Sequence, residues 1–545
     1  MNYKILKLPL LILFFTLTSC EEEFLETVPT DAVTPAVALQ NQDEMQKVIN
    51  GIHRGLFSQS QTVFPGGNTA RANNHYWVPM GDLLTGGIIH SANANNLGLR
   101  DEVQWNNHTL PDDITTELLW YHRYNIILHA NLILERIAEG DLVETPELLA
   151  IKGQAYAYRA YALLSLVQHY SKGYLIGDPA TDPGVPVITV PYESGPRGTV
   201  QQVYDQIEID LNDAIAAFQN AAPRENSTKG KSQLNINVAY GLKARWALSK
   251  GDWRAAADNA ALARDGFPLM SEAEWKSGFN TNDLSEVIWG SNVISTETTF
   301  FRSYFYIASN TFNGSHIRNN PKIADRRLVD AIPATDYRGD VFLPDAPNSN
   351  TSAANGEGGW ENNTNPLYQT EEEFENAIAS IKAEYGLVSG HNTHPYQAFK
   401  LKQQNPGSID PDDIIYMRTA EMYLIEAEAE AMLENIVPAQ NALQAIVGTR
   451  DSAFDATNFT SREQLMEEIK FQRRLELWGE GFGYTDHIRW DEGIDHAADG
   501  GSGASQVLYQ DGYFQERPSI NDDWIFKIPF DEINANPEIS PSDQN

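Results

Sequence analysis

Cysteine is almost missing from this chain: Cys20 is the single one in 545 residues. One thiol makes no internal disulfide, so the folded part is held by its core alone. Basic residues are scarce too, with Lys and Arg numbering 39 against 74 Asp and Glu and a formal net charge of -35. Such a surface repels phosphate backbones and anionic headgroups, which disfavours nucleic acid and peripheral membrane binding, and solubility is a sufficient account of it. Beyond Leu17 no apolar run approaches the roughly 20 residues of a spanning helix. The zinc pattern His-Glu-x-x-His and the calcium loop Asp-x-Asp-x-Asp-Gly are both absent. His391 and His394 sit in a Gly/Asn-rich stretch with no third ligand and read as surface polar residues. Gly230-Lys231-Ser232 resembles the end of a phosphate loop, but Glu225 replaces its first glycine and no apolar strand precedes it. Glycoside hydrolysis needs two carboxylates roughly 5 to 10 Å apart. The acids here fall on helix faces and at expected caps such as Asp410, Asp412 and Asp413. No catalytic residue, cofactor or metal is therefore assigned, and the chain reads as a binding protein rather than an enzyme.

What is present begins with a leader. Lys4 and Lys7 precede an apolar run from Leu8 to Leu17, and Leu17-Thr18-Ser19 leads into Cys20. Residues 1–19 read as a signal peptide, and Leu-Thr-Ser-Cys resembles the lipobox at which the cysteine is acylated and becomes the mature N-terminus. Lipid contributes about 0.8 kcal/mol per buried methylene and one chain holds marginally, so stable anchoring at Cys20 implies several acyl groups, palmitate among them.

Helical periodicity dominates the remainder. Gln42 to Phe57, Ile114 to Ala138 and Pro146 to Tyr170 form a first block, with Thr145-Pro146 supplying a cap and a first-turn proline. Thr199 and Gln202 make a capping box before Val203, Ile207, Leu211 and Ile215, which line one face. Asn237 to Lys250 and Trp253 to Asp265 read as a tetratricopeptide-type pair divided by Gly251-Asp252, with Ala239, Ala244, Ala247, Ala256 and Ala260 where helices approach closely. A further block from Asp413 to Arg450 repeats the design, and a last helix, capped by Ser461 and Gln464, runs through Leu465, Ile469, Leu475 and Trp478. The expected fold is mostly α: a degenerate tetratricopeptide-type helical-pair scaffold with a large loop-rich insertion face containing short strands such as Val287 to Ser291. The expected order is a lipidated linker (20–41), a helical scaffold (42–277, with a loop insertion 58–113), a loop-rich ligand-binding region (278–408), C-terminal helices (409–490) and a loop-rich end (491–545).

Several segments together resemble the SusD/RagB family. Ile151-Lys-Gly-Gln-Ala-Tyr-Ala-Tyr-Arg159 through Tyr170 is similar to its early repeat helix, and Arg418-Thr-Ala-Glu421-Met-Tyr-Leu-Ile-Glu-Ala427-Glu428 to its most recognisable one. Arg473-Arg-Leu-Glu476-Leu-Trp-Gly-Glu480-Gly481, followed by Asp486 and Arg489-Trp490, resembles the C-terminal signature, and Ile528-Pro529, Glu532 and Asn536-Pro537 a closing motif. Gln472, Gly483 and His487 depart from the usual glutamate, arginine and leucine. The resemblance implies a starch-utilisation-system SusD-like surface lipoprotein that captures nutrients for a SusC-like TonB-dependent outer-membrane transporter. Glu21-Glu22-Glu23 resembles the acidic signal that sends such lipoproteins to the cell exterior. The signature charges have a plainer reading as local helix-face pairs, Arg418 with Glu421 and Arg473 or Arg474 with Glu476 or Glu480, worth tenths of a kcal/mol each if exposed.

Sugar rings present flat apolar faces edged by hydroxyls, so a glycan site needs exposed Trp or Tyr beside Asn, Asp or Arg. Two stretches combine these types: Arg71, Asn73, Asn74, Tyr76 and Trp77; and Tyr304, Tyr306, Phe312 and Asn313 through to Trp360 beside Asn362. The ligand-binding expectation therefore rests on Arg71, Asn74, Tyr76, Trp77, Tyr304 and Trp360. Burial is the alternative for each aromatic, with Tyr304 to Tyr306 as an alternating strand. A peptide-capturing relative and a surface glycoside hydrolase are the competing readings.

Overall fold

Local sequence sets most of the helix starts. The computed structural model describes residues 35–59, 71, 73–90, 99–298, 302–314, 318–351, 358–495, 516–517 and 519–545; Cys20 and the leader lie outside them. Its longer helices are α1 (Gln42–Gly55), α2 (Asn74–Thr85), α3 (Ile114–Ala138), α4 (Pro146–Tyr170), α5 (Val200–Phe218), α6 (Ile236–Lys250) and α7 (Trp253–Ala263). They continue with α8 (Glu371–Glu384), α9 (Thr419–Met432), α10 (Ile436–Val447), α11 (Arg462–Glu476) and α12 (Gly483–Trp490). Thr145 accepts the Leu148 N–H to open α4, and Thr199 and Gln202 form both halves of the capping box of α5. Gly251, at φ 80°, ends α6, and Asp252 immediately caps α7, so the two helices turn on two residues.

Consecutive helices pack as pairs: α3 on α4, α4 on α5, α6 on α7, and α9 on α10, with α9 also crossing α7. Ala239, Ala244, Ala247, Ala256 and Ala260 are buried where α6 and α7 meet their neighbours, and Ala420, Ala427 and Ala431 do the same for α9. Asp210 of α5 accepts two hydrogen bonds from Arg159 of α4, at 2.5 and 2.8 Å. A second, smaller core of Leu424, Leu443, Ile446, Leu465 and Ile469 joins α9, α10 and α11. The fold is mostly α, a scaffold of helical pairs carrying a loop-rich face with short strands.

Among the short strands, six carry the loop-rich face: β1 (Ile89–His90), β2 (Val287–Ser291), β3 (Lys322–Ile323), β4 (Phe342–Leu343), β5 (Gln397–Ala398) and β6 (Ile414–Arg418). β2 pairs antiparallel with β6. The others form one antiparallel sheet in the order β1-β3-β5-β4, which joins the 58–113 insertion to the 278–408 region.

Five local expectations are corrected. Part of the insertion is helical: α2 is buried on nearly all sides, polar residues included, and carries Pro79 inside it, so it shows no amphipathic periodicity. The 278–408 stretch contains α8, opened by a Thr370–Glu373 capping box. The helix expected from Asp413 starts at Thr419, since Ile414-Ile415-Tyr416 extends along β2. Asp413 is no helix cap; it accepts the N–H groups of Asn282 and Val293. Finally, α11 ends at Glu476, before Gly479 and Gly481 take φ values of 80° and 91°.

The signature charges are not exposed helix-face pairs either. Arg418 pairs with Glu286, Glu476 and Glu480 rather than Glu421, and Arg473 pairs with Asp486. Glu421 instead pairs with Arg245, from α6. Glu476 also receives Arg338 at 3.0 Å and Arg450 at 3.3 Å, while Lys400 donates to the Glu476 and Trp478 carbonyls and to Glu480. Arg338 and Lys400 belong to the 278–408 region, so this buried network clamps the loop-rich face onto α9 and α11.

Candidate functional site

Arg71, Tyr76 and Arg302 converge on one carboxylate. The Tyr76 hydroxyl donates to Glu102 at 2.7 Å, and Arg71 and Arg302 approach the same oxygen at 3.4 and 3.6 Å. Glu102 lies almost fully buried, and burial pushes its carboxyl up while Arg71 opposes that. These contacts hold the ends of three loop segments side by side. They also remove Tyr76 from any exposed surface, because α2 points it inward.

Asn74, Trp77 and Tyr304 are likewise buried, which corrects the expectation of an exposed platform there. Trp77 packs edge-on against Tyr76 and His169 and tilts onto Phe526. Asn74 accepts from Arg123 at 3.0 Å and from the Tyr161 hydroxyl at 3.2 Å. Tyr304 opens a short helix, Tyr304–Ala308, rather than a strand, and its hydroxyl donates to the Gly479 carbonyl at 3.0 Å. Tyr306 and Phe312 are buried as well. For the aromatics the physical reason is common: a large ring yields more free energy packed against other segments than exposed to water.

Trp360 differs. It is half-buried in a single turn, Trp360–Asn362, and meets Phe374 of α8 edge-on at 6.1 Å between ring centres. Tyr368, also half-buried, meets Phe374 edge-on as well, at 5.7 Å, and donates its hydroxyl to the Asp345 carbonyl. Tyr396 is half-buried near Asp345 too, with its hydroxyl on Asp330 at 2.9 Å and Arg326 over its ring. Tyr396 holds φ 63°, a conformation that costs a bulky residue about 1 kcal/mol or more. Its N–H is fixed to the Leu343 carbonyl at 2.6 Å. Asn363 and Asn365 complete a polar rim. Tyr368 and Tyr396 were missed from sequence because they flank helix and strand residues far apart in the chain; their Asn- and Pro-rich contexts were the available signal.

Beneath this face, Lys322 of β3 is fully buried, and its ammonium has no hydrogen-bond partner among the described residues. Burial lowers its pKa well below the usual lysine range. His391 is buried rather than on the surface, with Nε2 donating to the Phe312 carbonyl. Among the described residues no group of three or more His, Cys, Asp or Glu is placed to hold a metal ion, and no helix is long and apolar enough to cross a membrane.

Two family models match the chain. The first, described as starch-binding associating with outer membrane, matches residues 71–248; the second, the SusD family, matches residues 290–545. SusD-like protein P25 of Formosa agariphila is 22% identical over 97% of this chain and 97% of its own length. SusD-like protein P38 of the same organism is 24% identical over 72% and 75%. Among solved structures, a SusD superfamily protein from Bacteroides thetaiotaomicron aligns with TM-score 0.71 and 23% identity, covering 93% of this chain and 99% of that one. A surface glycan-binding protein A from the same species, in complex with laminarihexaose, aligns with TM-score 0.60 and 15% identity over 91% and 98%. The first match covers α2 through most of α6 and the second runs from the end of β2 to residue 545, so the signature segments and most of the loop-rich face fall within them: this chain belongs to the SusD/RagB family.

Proposed function

We propose that this protein captures extracellular oligosaccharide or polysaccharide on its loop-rich face, without turnover, and passes it to a SusC-like TonB-dependent outer-membrane transporter. Acylated Cys20 holds it on the outer membrane, facing the cell exterior. The observation that carries the reading is the half-buried trio of Trp360, Tyr368 and Tyr396 beside Asn, Asp and Arg residues. That combination of apolar plates and hydroxyl partners suits neutral sugars. The laminarihexaose complex of a protein sharing the fold supports it further. An anchored capture protein beside a transporter works even with weak affinity, because local concentration is high.

The test is a panel of soluble glycans against the purified protein, by isothermal titration, with product analysis of the same mixtures. Binding of at least one glycan with no released product is expected. Trp360→Ala and Tyr368→Ala each weaken it about fivefold or more, as removal of a contact aromatic does. Binding of oligopeptides and no glycan, or unchanged glycan affinity in both variants, overturns the reading. Cys20→Ala is expected to move the protein from the membrane fraction to the soluble one.

A further inference from the structure

A cavity of about 170 Å³ lies between α2, α4, α6 and α12, apart from the loop-rich aromatics. One water needs roughly 10–15 Å³ by this kind of measure, so the space admits a molecule of roughly ten non-hydrogen atoms. Trp77, Trp289 and Arg473 line it, each at least nine-tenths buried. Each also carries a nitrogen with no hydrogen-bond partner among the described residues: both indole Nε1 atoms and the Nη1 of Arg473. All three are donors, and what they lack is an acceptor.

Charge points the same way. Of the other charged side chains that line it, Arg245 pairs with Glu421, Arg473 and Arg489 pair with Asp486, and Glu480 pairs with Arg418 and Lys400 behind the wall. Arg123 also lines the cavity, 3% exposed, and is left over. Its partners are neutral: Ser165 Oγ at 3.0 Å, Asn74 Oδ1 at 3.0 Å, the Nδ1 of His122 at 2.6 Å and the face of Tyr161. His122 donates its Nε2–H to the Gly55 carbonyl, and burial followed by the charge of Arg123 lowers its pKa to about 3, so it accepts from Arg123 as a neutral ring. Water filling the cavity supplies acceptors to the indoles but leaves the guanidinium charge without a counter-charge.

We propose that this cavity binds a small organic carboxylate, no larger than a sugar acid, with its charge on Arg123 and hydrogen bonds from Trp77 and Trp289. A single unbalanced cation matches a monovalent anion, whereas a divalent phosphate meets the lining carboxylates Glu421, Glu480 and Asp486 with excess charge. The aromatic walls suit an organic body rather than a bare inorganic ion.

The test is titration of the purified protein with sodium D-glucuronate, sodium acetate, sodium phosphate and D-glucose. One or both carboxylates are expected to bind saturably and at least about tenfold more tightly than glucose or phosphate, the range of a hydrogen-bonded charge. Trp360→Ala leaves this binding unchanged, which separates it from the loop-rich face. Arg123→Gln abolishes it, and Trp77→Phe and Trp289→Phe, which keep a ring and delete the donor, each weaken it severalfold. Equal affinity for glucose and glucuronate, tighter binding of phosphate, or no binding of either carboxylate overturns the proposal. If Arg123→Gln does not fold, unchanged affinity in both phenylalanine variants overturns it.

Discussion

Replacing Glu476 by Gln removes one negative charge from the middle of the buried network and leaves the side-chain shape intact. Glu476 accepts from Arg418 at 2.7 Å, Arg338 at 3.0 Å, Trp275 at 3.1 Å and Arg450 at 3.3 Å, and it is fully buried. Removing one partner of a buried ion pair costs about 3–5 kcal/mol, because the opposite charge is left without compensation. Glu286 and Glu480 still neutralise part of Arg418 and Arg450, so the lower end, about 3 kcal/mol, is expected. Unfolding entropy is about 2.1 cal/mol/K per residue, which for 545 residues lowers Tm by only about 3 °C if the chain unfolds as one unit. Urea unfolding followed by tryptophan fluorescence is therefore the better assay. Lys47→Gln, which breaks an exposed pair with Glu44, is the control and costs less than about 1 kcal/mol. Burial alone would raise the Glu476 carboxyl, but Arg450, Arg418 and Arg338 outweigh it and hold it well below the usual range. Its stabilisation is thus present above the ordinary glutamate pKa and lost as pH falls through the depressed one, and the variant loses that acid-side dependence. A Glu476→Gln protein within about 1 kcal/mol of the parent at neutral pH refutes this account.

Asp82 shows the opposite sign. Burial raises its pKa to about 7, although the N–H groups of Gly481 and Gly483 donate to it. The folded state therefore resists ionisation, and the parent loses stability relative to Asp82→Asn as pH rises from about 4 to 7, by up to about 4 kcal/mol. A stability difference that stays flat across that interval contradicts it. Gly81→Ala places a Cβ 2.2 Å from the Gly481 carbonyl oxygen, backbone against backbone, and is expected to cost about 2 kcal/mol or more in the same urea assay. Tyr304→Phe removes the hydroxyl donor of Gly479 and leaves that buried carbonyl short of a partner, a loss of about 1 kcal/mol that unchanged unfolding midpoints would disprove.

Helix boundaries were legible because their causes are local: the hydroxyl of Thr145, the Thr199–Gln202 box and Gly251 act within a few residues. The paired-helix scaffold followed from alanines at helical spacing, and the family from signature segments whose order survives in one dimension. Charge roles were not legible. Arg418 and Glu421 have helical spacing on paper, yet Arg418 is the last residue of a strand and turns toward Glu476 and Glu480, while Glu421 faces Arg245 from another helix. Nor does composition tell an exposed ring from a buried one: Trp77 and Trp360 both stand beside asparagines. Sequence by itself determined which residues are paired into helices and which chemical types surround the site. Tertiary structure alone decided which aromatics reach solvent and which charges find partners, because both depend on contacts between segments tens to hundreds of residues apart, and burial energy does not record sequence distance.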